Sequence, residues 1–171
     1  NGDFEAAKGL LEQVLAQQSN HYPAMLELAS LAGRKGDVKL QASWLEKAVA
    51  AQAALTGPRR ALALLYLNTQ QPLKALETAQ PALEADPNSV DFLGIVGQSE
   101  LQAGKTEESI KTFQRLVNVA PQTVEAYFLL ARAYGLAEKH REMQAALTKA
   151  LEIDPNHLPS QVALVRFFVL D

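Results

Sequence analysis

Residues 124–157 read VEAYFLLARAYGLAEKHREMQAALTKALEIDPNH and contain two apolar-periodic runs separated by a short polar break. Apolar residues in each run recur at steps of three and four, so each run has one apolar helical face. Asp154-Pro155 ends the second run, because proline lacks the N–H that a continuing helix needs. Neither stripe can be buried by its own helix, so the two helices must pack on each other and on neighbours. The stripe residues are Tyr127, Leu130, Ala131 and Tyr134 in the first run and Met143, Leu147 and Ala150 in the second.

The same unit recurs upstream, and the interval from Pro87 to Pro121 is repeated from Pro121 to Pro155. Helix–turn–helix units that recur at this interval resemble the tetratricopeptide repeat family. Three segments match the pattern in phase, which makes the resemblance specific. The matching residues are Leu62, Ala63, Tyr66, Ala75, Ala82 and Pro87 in 56–89; Leu93, Val96, Gly97, Ser109, Phe113, Leu116 and Pro121 in 90–123; and Tyr127, Leu130, Ala131, Tyr134, Leu147, Ala150 and Pro155 in 124–157.

The resemblance implies an all-α fold, a right-handed superhelical α-solenoid made of these repeats. We expect one solenoid over residues 1–171, cut from a longer array. Its full repeats would be 22–55, 56–89, 90–123 and 124–157, with half repeats at 1–21 and 158–171.

Local signals predict ten helices and some irregularities. Residues 1–4 resemble an inter-helix turn. Gln41 replaces a small residue and Ala53 replaces the closing proline, so the helix there is expected to continue toward Leu55. Thr56 is then expected to cap the next helix, with Pro58 in its first turn. The predicted helices are 3–17, 22–34, 38–54, 58–69, 72–84, 89–103, 106–119, 123–137, 140–153 and 157–169.

Composition excludes several classes of protein. The chain is 48% hydrophobic and 20% charged, as is usual for a globular protein, and its net charge of −3 gives no basic footprint for nucleic acid. It has no cysteine, and therefore no disulfide or thiolate site. Its apolar runs are far shorter than the roughly 20 residues of a membrane-spanning helix.

No constellation of residues indicates catalysis, a cofactor or a metal. His21, His140 and His157 fall at predicted turns, where solvated or capping roles are expected. Gly97 is interpreted as a close helix-packing position rather than part of a phosphate loop. The sequence therefore predicts a protein that is not an enzyme and that acts through its shape.

In tetratricopeptide proteins the first helix of each unit lines an inner groove that selects the partner. By this resemblance Arg60, Arg132 and Arg166 would anchor a bound segment, since guanidinium groups grip carboxylates bidentately. The alternative is that these arginines pair with Glu125, Asp91 or other neighbours. The expected protein-binding residues are Arg60, Leu64, Asn68, Gln98, Gln102, Glu125, Phe128, Arg132 and Arg166, with Leu26, Ser30 and Asp91 as further lining positions.

The family's chaperone-binding members use an asparagine in the middle of the first helix, repeated in the next unit. The corresponding positions here are Ser30, Leu64, Gln98 and Arg132, so a clamp for chaperone tails is not expected.

A narrower resemblance is carried by residues 67–83, LNTQQPLKALETAQPAL, by 94–134 and by 146–167, ALTKALEIDPNHLPSQVALVRF. These segments resemble the repeat lipoproteins of the bacterial PEP-CTERM (exosortase) system. That resemblance implies a scaffold in the periplasm or at the outer membrane, associated with exopolysaccharide production, while a cytoplasmic location stays open.

Three functions are therefore weighed. The first is a scaffold that binds a peptide or protein segment in the inner groove. The second is a structural module that self-associates through terminal helices, where Val165, Phe168 and Val169 are expected to be exposed. The third is an accessory module to polysaccharide export, which the small number of aromatic residues disfavours.

Overall fold

The computed structural model describes residues 2–170, and within this range the chain is all-α, with ten helices and no strand. The helices are α1 (Gly2–Gln17), α2 (Tyr22–Arg34), α3 (Val38–Ala51), α4 (Thr56–Asn68), α5 (Pro72–Ala85), α6 (Val90–Gln102), α7 (Thr106–Val119), α8 (Val124–Leu136), α9 (His140–Ile153) and α10 (Leu158–Leu170). All of them except α3 and α4 begin and end within one residue of the predicted bounds.

The chain forms two compact units, Asn1–Tyr66 and Leu67–Asp171, and the boundary lies within α4. In the first unit α2 packs against both α1 and α3. The side chains buried there recur at steps of three and four along α2 and α3, so they form the apolar faces of these helices. They include Met25, Leu28, Ala29, Leu45 and Ala48.

In the second unit each helix packs on the next along the chain, from α5 through α10, and α6 also contacts α8. Leu93, Phe113 and Leu147 are among its fully buried side chains. Packing between sequence neighbours is the pattern expected of helical repeats. That the two units form one array stays a prediction of the repeat period.

The repeat period is also visible in the backbone conformation of the turns inside the repeats. Gly36, Gln70, Gly104 and Glu138 all have positive φ, at +74, +57, +78 and +56° respectively. Each of these four positions lies one repeat period after the one before it. Only glycine adopts this left-handed conformation without steric cost. Gln70 and Glu138 adopt it despite that cost, and at Glu138 the turn lets α9 fold back against α8.

Three local predictions are wrong. The predicted turn at residues 1–4 is helical from Gly2 onward, where Asp3 and Glu5 in the first turn favour the positive end of the helix dipole, and Asn1 lies outside the described residues. α3 ends at Ala51 and does not continue toward Leu55. A turn instead follows, in which the amide of Leu55 donates to the carbonyl of Gln52, and Thr56 is the first residue of α4 rather than the cap expected before it.

Several predicted local roles are confirmed. His21 caps α2, its Nδ1 accepting from the amide of Ala24 at 3.2 Å. A Cβ added to Gly97 would lie 2.5 Å from Phe113 Cε1, so this glycine permits the close approach of α6 and α7.

Among the residues the structure describes, no helix is long and apolar enough to cross a bilayer.

Candidate functional site

Two first helices of the second unit, α6 and α8, enclose a small pocket, which we call the α6–α8 pocket. Its volume is about 140 Å³, less than the roughly 300 Å³ of a small-molecule site. A space of this size suits one side chain of a partner rather than a cofactor. The lining residues are Gln98, Leu101, Gln102, Arg132 and Leu136.

The polar groups of the α6–α8 pocket are available to a ligand. Neither the guanidinium of Arg132 nor the amides of Gln98 and Gln102 make a hydrogen bond or ion pair with any residue in the described part of the chain. Leu101 is buried beside them and Leu136 is 66% exposed. The pocket therefore combines a cation, two amides and an apolar wall.

Glu125 and Phe128 lie on α8 but are both engaged with His157, the residue before α10. His157 Nε2 is 3.8 Å from Glu125 Oε2, and the ring of Phe128 meets the imidazole edge-on at 5.4 Å between centroids. His157 Nδ1 is also 2.8 Å from the hydroxyl of Ser160, which is fully buried. Glu125 therefore does not pair with Arg132, and Phe128 serves packing between repeats.

Arg166 occupies in α10 the place that Arg132 occupies in α8, the ninth residue of the helix. Its side chain is exposed and makes no ion pair or hydrogen bond within residues 2–170. The alternative that Arg132 and Arg166 are neutralised by neighbouring carboxylates is therefore not what the structure shows within that range.

Three further predicted binding residues lie on α4, while the additional lining positions Leu26 and Ser30 lie on α2 and Asp91 on α6. Arg60 is exposed and Leu64 half-buried in the first unit, and Asn68 is exposed in the second. Arg60 already has an interaction partner within the chain, as does Asp91. Arg60 is therefore a weaker candidate for an anchoring residue than Arg132.

One carboxyl of the second unit is half-buried between α6 and α7. Burial raises the pKa of Glu100 above its ordinary value near 4.5, although Thr112 Oγ1 donates to Glu100 Oε2 at 2.7 Å and opposes the shift. The charge of Glu108 raises the pKa further, whereas Lys105 and Arg115 lower it. Glu100 points into the contact between two helices, so it belongs to packing rather than to the pocket.

A second, larger pocket of about 340 Å³ lies at the edge formed by the turns, between residues 70–74 and Ala103. Two of the three polar side chains that line it already have partners, since Gln71 Nε2 donates to Thr69 Oγ1 and Lys74 also interacts within the chain. Among the described residues there is also no group of His, Cys, Asp or Glu that could hold a metal ion. The α6–α8 pocket is therefore the stronger candidate.

Sequence reasoning found the polar lining of the α6–α8 pocket but missed its apolar wall. The repeat period could have supplied Leu136, because it lies one period after Gln102, just as Arg132 lies one period after Gln98. Leu101 lies at a position typical of any core leucine, so nothing in the sequence marks it as a pocket residue. The contacts of His157 with Glu125 and Phe128 depend on the path of the turn, which no motif encodes.

Comparisons with known proteins agree with the helical repeat fold described above. A model of the tetratricopeptide repeat family matches residues 1–55 and 60–118, and another model described as tetratricopeptide repeat matches 124–157. Superkiller protein 3 of Saccharomyces cerevisiae is 27% identical over 166 residues, which are 96% of this chain and 11% of that protein. The chain thus spans about a tenth of that relative.

Solved structures show the same fold. The structure of YrrB, described as a tetratricopeptide repeat protein with an unusual peptide-binding site, superimposes with a TM-score of 0.82 at 22% identity, covering 95% of this chain and 84% of that one. MamA from Desulfovibrio magneticus RS-1 gives a TM-score of 0.78 at 19% identity, covering 87% and 84%. At these identities the likeness concerns the fold.

Proposed function

The chain belongs to the tetratricopeptide repeat family, and we propose that it is a non-catalytic interaction module that binds a peptide or protein segment. The segment would lie along the first helices of the second unit, with one side chain in the α6–α8 pocket. The observation that carries this proposal is the set of unpartnered polar groups on Gln98, Gln102 and Arg132 around an apolar wall.

The chemistry of the pocket favours a polypeptide. Glutamine amides can both donate to and accept from a peptide backbone, and arginine is enriched at binding hot spots. Leu101 and Leu136 would contact an apolar side chain and lower the local dielectric around the guanidinium. A partner that satisfied all of these groups together would bind more tightly than one that met only the cation.

The fold relatives support the same class of function. YrrB, whose fold superimposes on this chain, is described as having a peptide-binding site. The volume of the α6–α8 pocket, about 140 Å³, suits one side chain of such a peptide.

The test is selection of peptides from a random display library on the purified chain, followed by affinity measurements with groove variants. Gln98→Ala and Gln102→Ala together should lower the affinity for the selected peptides by about tenfold, because two hydrogen-bonding amides are removed. Gln122→Ala, an exposed glutamine in the turn before α8, serves as the matched control and should not change binding.

Selected peptides that bind the double variant and the parent chain equally well would contradict the proposal. Circular dichroism of each variant checks that lost binding is not lost helix, since Gln98 and Gln102 make no polar contacts that hold the described part of the fold.

A structural role is the second candidate, because α10 has an exposed apolar surface. Val165 and Phe168 are each 61% exposed and Val169 is 76% exposed. Sedimentation of the protein over a range of concentrations separates the two roles, since a strict monomer would leave only the binding role. The setting at a bacterial envelope stays a prediction of the narrower resemblance, and fractionation of cells that produce the protein tests it.

A further inference from the structure

Arg132 and Arg166 form a repeated feature that the proposed function does not by itself explain. They lie one repeat period apart and are the ninth residues of α8 and α10. Both helices contribute to one apolar cluster, in which Phe128 of α8 and Ala163 and Leu164 of α10 pack around Ala131 and Leu147. Equivalent positions on two helices that share this cluster place the two arginines on the same side of the array, and the axes of contacting helices lie about 8–10 Å apart.

Within residues 2–170, no acidic side chain neutralises this pair. Helix α10 contains no aspartate or glutamate between Leu158 and Leu170. The only acidic residue of α8 is Glu125, which faces His157 and lies two helical turns, about 10 Å along the helix, before Arg132. Two exposed guanidinium groups on adjacent first helices therefore lack a counter-charge in the described part of the chain.

Apolar side chains flank both arginines. Arg132 shares the α6–α8 pocket with Leu101 and Leu136, and Arg166 lies between the exposed Val162 and Val169 on its own helix face. Once a partner excludes water from such a surface, the attraction between a guanidinium and a carboxylate increases. A neutral or basic partner would instead leave both cations desolvated and unpaired.

We propose that Arg132 and Arg166 read two side-chain carboxylates of one acidic peptide segment, a claim that rests on the proposed function. An extended polyproline-II segment rises about 3.1 Å per residue and repeats every three residues, so residues i and i+3 face the same side about 9 Å apart. This spacing matches the arginine pair. The preferred partner therefore carries Asp or Glu at i and i+3, with an aliphatic residue beside the carboxylate that meets Arg132.

The experiment uses fluorescently labelled synthetic peptides on the purified chain, with two aspartates at i and i+3, at i and i+1, or replaced by asparagines. These three peptides carry an amidated C-terminus. A fourth peptide has asparagines at both positions and a free C-terminal carboxylate. The i, i+3 peptide should bind at least about tenfold more tightly than the asparagine peptide, and added salt should weaken it. Equal binding of the i, i+1 peptide, or of the asparagine peptide with a free terminus, would overturn the proposal.

Charge reversal gives the sharper comparison. Arg132→Glu with Arg166→Glu should abolish the preference for aspartate and favour the same peptide with lysines at i and i+3. Arg141→Glu with Lys111→Glu is the matched control, because it changes the net charge by the same amount at two exposed cations of α9 and α7 that have no partner in the described chain. It should leave the preference unchanged, and an equal effect of both changes would mean that only net charge is sensed, which would overturn the proposal.

The two proposals fail differently. Peptides that bind with sensitivity to Gln98 and Gln102 but without preference for acidic residues would refute the arginine pair and leave the binding function in place. A chain that binds no displayed or synthetic peptide would refute both.

Discussion

At the residue scale, small side chains decide how closely helices approach, and Gly97 is the clearest case. Its missing Cβ is what allows the fully buried ring of Phe113 to lie against α6. Sequence reasoning identified this role because the family pattern has a small residue at the position. It could not identify Thr112 as the partner of Glu100, since that hydrogen bond depends on the rotation of α7 relative to α6.

Replacing Gly97 with alanine should lower the free energy of unfolding by about 1–3 kcal/mol, because the buried Phe113 ring cannot move aside without strain. Gly94→Ala in the same helix is the matched control, since a Cβ there would meet nothing within 4 Å. It should be neutral or stabilising by up to about 1 kcal/mol through helix propensity. Urea unfolding measures both, and equal effects would contradict the packing role of Gly97.

Glu100 gives a prediction in pH. Because burial raises its pKa in the folded state above its ordinary value near 4.5, the folded chain holds this proton more tightly than the unfolded chain. The contribution of Glu100 to the free energy of unfolding therefore decreases as the pH rises from about 4.5 through the raised pKa. It recovers as the pH falls.

Glu100→Gln removes this pH dependence and keeps an oxygen that accepts from Thr112. At neutral pH the variant should be as stable as the parent or more stable, by less than about 1 kcal/mol, since solvent screens a half-exposed carboxyl. Thermal melts at several pH values test this, with the exposed Glu77→Gln in α5 as control. A parallel pH profile for parent and Glu100→Gln would contradict the assignment.

At the element scale, the helix pairs are specified more strongly than their ends. Apolar periodicity predicts all ten helices, whereas the absence of a proline at Ala53 predicts a longer α3 than the structure has. A helix also ends where the next element has to pack, and this requirement cannot be read from Gln52 or its neighbours alone.

The left-handed turn position offers a test of the repeat at this scale. Glu138→Gly should stabilise the chain by up to about 1 kcal/mol, because it relieves the positive φ at a small cost in unfolded-state entropy. Gly104→Ala, at the equivalent position one repeat earlier, should destabilise it by about 1 kcal/mol. Opposite signs in urea unfolding are expected, and the same sign for both changes would show that the two turns are not equivalent.

At the scale of the whole molecule, function depends on which side chains of successive first helices come together. The resemblance to the tetratricopeptide family, carried over by repeat position, predicted Gln98, Gln102 and Arg132 as lining residues, because equivalent positions of stacked repeats share one face. It also put Glu125 and Phe128 in the same set, and these two are occupied by His157. The repeat period predicts which residues share one face of a helix. The contacts between repeats then determine which of those residues remain available to bind a partner.

The most direct test of binding along the first helices is the backbone amide NMR spectrum of the chain, recorded with and without a display-selected peptide. The account predicts the largest shift changes at Gln98, Gln102, Arg132 and Leu136, and little change at Arg141 on α9. Changes confined to residues 70–74 and Ala103, at the edge formed by the turns, would contradict it and place the binding site in the other pocket.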